Sequence, residues 1–315
     1  MTVFNRKLKN VLHTLTLFLC MGAIFALVGF VLAGVEGILW AAFLAVLVLA
    51  ISPNIPPSLI FSLYEGKLLS ANNAPDLYQI VRELSARADL PALPAIYYLP
   101  SQLMNAFSVG TSANSAIGLS DALLNSLNIR EIIAVLGHEI SHIQHNDVRV
   151  MTYADLISRI TRTLSLTGFL LTFINLPLYF LGLVTISWFA LGILIVAPSL
   201  ISFLQLLLSR LREFDADHQA VLLTGDPEGL IMALRKLELY ESSLLDILFG
   251  RGRSISIPSI LRTHPETEER VKRLLHLKPP AQPTLNYADD DRFTIPIHYQ
   301  KSAKKPRRYL GRFRS

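Results

Sequence analysis

Two long stretches of this chain carry no charged side chain. The first runs from Val11 to Val35, behind a short basic segment, residues 1–10, that holds Arg6, Lys7 and Lys9. It is long enough to cross a bilayer and too long for the apolar core of a cleavable signal peptide. Glu36-Gly37 reads as a tight turn, and a second apolar segment, Gly37 to Ile51, ends at Ser52-Pro53 and Pro56-Pro57, which stop a helix. Residues 11–52 therefore read as a hairpin of two spans. The second stretch, residues 163–209, is too long for one span and reads as another hairpin, with its turn near Asn175 to Pro177 or at Gly182. A buried soluble helical pair is the rival reading, but neither half offers a polar face to solvate.

The remaining segments alternate in a different way. Residues 53–162 and 210–278 have the composition of a soluble domain. Asp76 to Ala88 places Leu77, Ile80, Val81 and Leu84 on one helical face. Ala95 to Leu99 reads as a strand, and Ala106 to Gly110 with Ser115 to Leu119 as a hairpin turning at Thr111 to Asn114. A helix is expected from Ile129 to His145, opened by a capping box of Asn128 and Glu131. Asp226-Pro227 opens another, and His264-Pro265 a last one, in which Arg270, Lys272 and Arg273 follow Glu266, Glu268 and Glu269. Residues 279–315 read as a disordered basic tail. The fold expected is an α+β membrane protein, mostly helical, with four spans in two hairpins and a small β-sheet.

Composition strengthens the membrane reading: 51% of the residues are hydrophobic and 17% charged. Cys20 stands alone, so neither a disulfide framework nor a cysteine-built zinc site is available. The net charge of +5 is no more than the basic ends supply, which argues against a nucleic-acid partner; the tail suits anionic lipid heads of the bilayer. The basic N-terminus, Arg159 and Arg162, and Arg210 and Arg212 flank the spans on one side, which the positive-inside bias assigns to the cytoplasm. Everything between and after the hairpins then faces the cytoplasm from a plasma (inner) membrane.

The chemistry sits in His138-Glu139-Ile140-Ser141-His142. Histidines four apart on a helix present two imidazoles to one metal ion, and the intervening Glu139 can act as general base for a water attacking a carbonyl. Peptide hydrolysis is the reaction implied. A catalytic zinc takes three protein ligands. A third histidine at the metzincin spacing would fall on Val148, so a carboxylate is needed. Asp147 and Asp155 lie close to the end of the same predicted helix, and Glu213 is the first acid beyond the second hairpin. Glu213 and Asp217 share a helical face, which makes Glu213 the candidate ligand and Asp217 the candidate partner for the second nitrogen of a ligating histidine. His145 and His218 read as ordinary polar positions. Arg210, Arg212, His264 and a tyrosine remain open as stabilisers of the oxyanion. The strand edge before the metal helix could pair with an extended substrate through main-chain hydrogen bonds.

Asn105-Ala106-Phe107, the His138 to Ile143 segment, Ser209 to Asp217, and Thr263-His264-Pro265 with Arg270 occur in an order that resembles the HtpX-type membrane zinc metalloproteases, relatives of the CAAX prenyl proteases. The resemblance runs from the first span to about Leu277. It implies a zincin-like catalytic domain with one zinc per chain on His138, His142 and Glu213, Glu139 as base and Asp217 behind a ligand. It also implies that Asn105, Ala106, Phe107, Ser108 and Val109 lie near the substrate backbone. Membrane-protein or unfolded polypeptides are the substrates it implies, in quality control under stress. A prenyl-tail protease is disfavoured by the small number of spans. A non-enzymatic scaffold or sensor with a structural metal is disfavoured by Glu139, for which a purely structural clamp has no use.

Overall fold

The structure is a computed structural model and describes residues 3–51, 56–183, 187–249 and 267–277. The expected start of the last helix at His264-Pro265 and the basic tail from 279 lie outside the described residues. The fold is mostly helical with a small mixed sheet. It divides into two compact units, one built from α1, α6, α7 and α8 as far as Ala216, the other from α2–α5, the four strands, α8 from Asp217, and α9. The divisions fall at His145/Asn146, at Ala216/Asp217 within α8, and at Arg270/Val271 within α10.

Much of the first unit is apolar both inside and on its surface. Its first helix, α1 (Val3–Ile51), is broken at Ala33 and Gly34, where Gly34 takes φ 60° and ψ −142°. The chain folds back there, three residues before the expected Glu36-Gly37 turn. The positive φ falls to the glycine at 34, and Gly37 instead faces Gly29, where a Cβ on either would strike the other's carbonyl oxygen. The helix α6 (Asp147–Ile174) leads through α7 (Leu176–Phe180) and a turn at Gly182 to α8 (Trp188–Thr224). Met21, Phe25 and Ala41 of α1 pack with Ala154 of α6 and with Ile201 and Leu208 of α8. Outside that core, Leu19, Phe173, Ile174 and Phe189 are exposed, a surface that lipid solvates and water does not. Among the described residues two segments are long and apolar enough to cross a membrane, Val11–Leu47 and Trp188–Thr224, the first of them folded at Ala33-Gly34. In α6 the charge-free part is only residues 163–174, because the helix ends at Ile174.

The second unit is organised by a four-stranded sheet in the order β1-β2-β4-β3, with β1 (Lys67–Leu68), β2 (Ala95–Leu99), β3 (Ala106–Thr111) and β4 (Asn114–Ser120). Strands β2 and β4 are parallel; β1 and β3 pair antiparallel at the two ends. Alternation along the strands splits the core in two. Ile96, Tyr98, Ile117 and Leu119 face α3 (Pro75–Arg87) and α5 (Ile129–Gln144). Leu99, Val109 and Ala116 face α2 (Pro57–Leu63) through the fully buried Phe61. Strand β3 is the last of the sheet and packs on α5. The short α4 (Asp121–Ser126) joins β4 to α5, and α9 (Pro227–Phe249) lies along α5. The last helix, α10 (Thr267–Leu275), places Val271 and Leu274 in a small core with Ala220, Leu230 and Leu234.

Candidate metal centre

The helix α5 begins with the expected capping box: Asn128 accepts from the Glu131 backbone N–H, and Glu131 accepts from the Asn128 N–H in return. Glu131 is also held by Lys236 of α9 at 2.7 Å. Two more ties fix this end. Arg130 pairs with Asp226, Nη2 to Oδ1 at 2.9 Å, and Asp226 caps α9 by accepting from the Gly229 N–H at 3.1 Å. Burial alone would raise the Asp226 pKa, but the Arg130 hydrogen bond, the Gly229 N–H and the Arg130 charge together outweigh it and hold the carboxyl below its ordinary value. The helix ends at His145, whose Nδ1 lies 2.9 Å from the Ser141 carbonyl, and Asn146 takes a left-handed conformation at φ 55°. Asp147 therefore opens α6 and does not continue the same helix, as the sequence had suggested.

Gly137, one residue before His138, decides how closely α8 approaches. A Cβ there would stand 2.8 Å from the Thr224 methyl. With none, α8 lies close enough for Asp217 to reach His138, Oδ1 to Nδ1 at 3.0 Å, both side chains nearly buried. That contact takes up Nδ1 and leaves Nε2 as the lone-pair nitrogen. The Nε2 atoms of His138 and His142 are 3.1 Å apart, near the about 3.3 Å separating two nitrogens that share one tetrahedral zinc. Glu213 stands one turn before Asp217 on the unbroken α8, and ligand atoms of His138, His142 and Glu213 all lie within 4.8 Å of one another. Two imidazoles and a carboxylate are the donor set of a catalytic zinc site, so these residues fit that ion by chemistry and by spacing. Glu139, also buried, follows His138 on the same helix.

Charged pairs surround the carboxylate. Arg270 Nη1 lies 3.5 Å from Glu213 Oε2, both buried. Arg212 Nη1 lies 2.9 Å from Asp147 Oδ1, and Arg212 also donates to Thr14. Arg212, one of the candidates left open for the oxyanion, therefore has Asp147 and Thr14 as partners. His264, another of those candidates, is outside the described residues. His145 and His218 lie outside the cluster, and Asp155 pairs with Arg159. Ala106 to Val109 form the start of β3 and Asn105 precedes it: Asn105 is exposed, and its backbone bonds Ser120 in both directions. The Arg212–Asp147 and Arg270–Glu213 pairs escaped the sequence reading as pairs, since the partners are distant in the chain. The shared signal is a mostly enclosed arginine beside each acid, and enclosure is not visible before folding.

A profile of Peptidase family M48 matches residues 71–278. The chain is 30% identical over 292 residues to a protease HtpX homolog of Methylibium petroleiphilum, covering 86% of this chain and 98% of that protein. It is 33% identical over 238 residues to a protease HtpX homolog of Streptococcus equi subsp. zooepidemicus, covering 70% and 79%. The crystal structure of Ste24p from S. mikatae shares the fold at a TM-score of 0.51 and 23% identity, over 86% of this chain and 67% of that one.

Proposed function

The chain belongs to Peptidase family M48, and on that premise we propose that it is a membrane zinc endopeptidase in which Glu139 acts as general base beside His138, His142 and Glu213. The observation that carries the reading is the convergence of two imidazoles and one carboxylate within 4.8 Å, directly next to a buried glutamate. A zinc ion held there supplies Lewis acidity to a water and to the scissile carbonyl.

The chain's own residues do the rest. Asp217 fixes the tautomer and ring orientation of His138. Arg270 holds the Glu213 carboxylate in one orientation. Glu139 removes the proton from the attacking water and returns it to the departing amine, which completes cleavage of the peptide bond. Strand β3, terminal in the sheet and packed on α5, offers those backbone groups of Ala106 to Val109 that do not pair with β4 to an extended substrate, and Asn105, whose N–H and C=O are held by Ser120, marks the end of that edge. Pairing through main-chain groups accepts many sequences, which suits unfolded polypeptides and misassembled membrane proteins. Quality control in a plasma (inner) membrane is the role this describes.

The apolar segments cross the bilayer four times in this reading: two arms of α1 joined at Ala33-Gly34, then α6 and α8 joined through α7. The flanking arginines put the active site on the cytoplasmic side. The test is a chelation cycle on detergent-purified protein with an unfolded, casein-like substrate. Cleavage should stop when a chelator removes the metal and return when zinc is restored; cleavage indifferent to chelator defeats the reading.

A further inference from the structure

The element the proposed chemistry leaves unused is α2. One face of it is seated firmly: Phe61 is fully buried and stacks on Tyr97 at 4.4 Å and on Phe107 at 5.2 Å between ring centroids. A Cβ on Gly118 would lie 2.4 Å from the Phe61 ring, so β4 has no side chain where the ring sits. The other face is bare. Leu63 is 79% exposed and Leu59 55%, and Tyr64 at its edge is 58% exposed, with one side of its ring on Phe107 at 5.4 Å between centroids. A short apolar face of this kind on a docked helix is unfavourable in water.

Its position in the chain says what covers it. No charged residue occurs between Gly37 and Tyr64, so one charge-free stretch contains the second arm of α1, the proline-rich link and the whole of α2. Only five residues, 52–56, separate that arm from α2 in the sequence. Charge returns immediately afterwards, at Glu65 and Lys67. The Ser62 hydroxyl donates to the Leu59 carbonyl at 2.7 Å, a bond that satisfies it without water. A tyrosine at the helix end matches the amphipathic side chains that settle at headgroup level.

Resting on the reading of a membrane peptidase, we propose that α2 is an interfacial helix: Leu59, Leu63 and Tyr64 lie in the headgroup and acyl boundary of the lipid bilayer on the same side as the metal centre. Through Phe61 and Phe107 the same helix buttresses β3, so the substrate-pairing strand is anchored at the membrane surface. The substrates favoured are polypeptide segments that emerge from, or are tethered to, the bilayer.

The test uses the full chain with Cys20→Ser, reconstituted in vesicles, and a nitroxide on Leu63→Cys, with Arg82→Cys on the exposed face of α3 as control. Expected is a label at 63 reached by oxygen more readily than by a water-soluble nickel chelate, and the reverse at 82. Equal access of the chelate to both positions overturns the proposal, and so does label-to-label coupling at 63, which would show that a second copy covers the face. This readout does not depend on catalysis, so it stands even if no peptidase activity is found. In an active preparation, Leu59→Glu with Leu63→Glu should lower cleavage of a membrane-tethered substrate at least about tenfold, the equivalent of one lost leucine burial. Cleavage of a soluble unfolded substrate should be spared. Equal loss on both substrates overturns the assignment of α2 to substrates at the bilayer.

Discussion

In the proposed site Asp217, whose Oδ1 lies 3.0 Å from His138 Nδ1, orients that imidazole so that Nε2 faces Glu213 and His142. Removing it in Asp217→Ala should weaken zinc affinity about 10- to 100-fold, as loss of an outer partner of a ligating histidine does. Competition against a chromophoric chelator measures this, and unchanged affinity sinks the role. Asp226 makes a prediction of a different kind. Its folded pKa lies below the ordinary carboxylate value, so its contribution to stability is present above the unfolded pKa and fades as pH falls through the folded one. Asp226→Asn should therefore cost about 1–2 kcal/mol near pH 7, by weakening the α9 cap and the Arg130 pair, and progressively less as the pH falls below the ordinary carboxylate range and Asp226 itself becomes protonated. Denaturation midpoints of both proteins near neutral pH and in acid check the sign; a constant difference across pH contradicts it. Residues whose work is local were readable from sequence. The Asn128–Glu131 capping box is one, since both partners lie within a single turn.

At the scale of elements, the histidine helix depends on what it packs against. Gly137→Val should push α8 away through the Thr224 contact, destabilise by about 1–3 kcal/mol as overpacking does, and loosen zinc binding in the same protein. Wild-type stability in that variant would show that the contact is easily relieved. In the second unit α3 and α5 followed from apolar residues at helical spacing, and β2, β3 and β4 from β-branched and aromatic residues between turn signals, whereas β1, α2 and α4, each under eight residues, carried no readable signal. Turns within apolar runs were less readable. Glu36, the first charge after a long apolar run, drew the turn to itself, whereas the backbone reverses at Gly34, where a positive φ is needed and the flanking Gly29 and Gly37 let the arms touch. Asp147 was placed on the preceding helix because nothing in its neighbourhood signals the left-handed Asn146. The amphipathic face of α2 went unread for a similar reason: its apolar residues look like more of the span before it.

For the whole molecule, the membrane is the partner that the sequence states most plainly and that side-chain geometry alone cannot supply. The four crossings we propose would place the α7 connection on the face opposite the metal centre. In intact vesicles, a cysteine at Asn175 and one at Arg82, each in a Cys20→Ser background, should then react with an impermeant thiol reagent from opposite sides. Labelling of both from one side would require a different number of crossings. The central claim concerns the chemistry, and zinc content with cleavage, measured side by side on purified wild type and Glu139→Gln, tests it most directly. One zinc per chain in both proteins, with cleavage reduced at least about a thousandfold in Glu139→Gln, is the expected result. Cleavage by Glu139→Gln at the wild-type rate, or no zinc in the wild type, would contradict it.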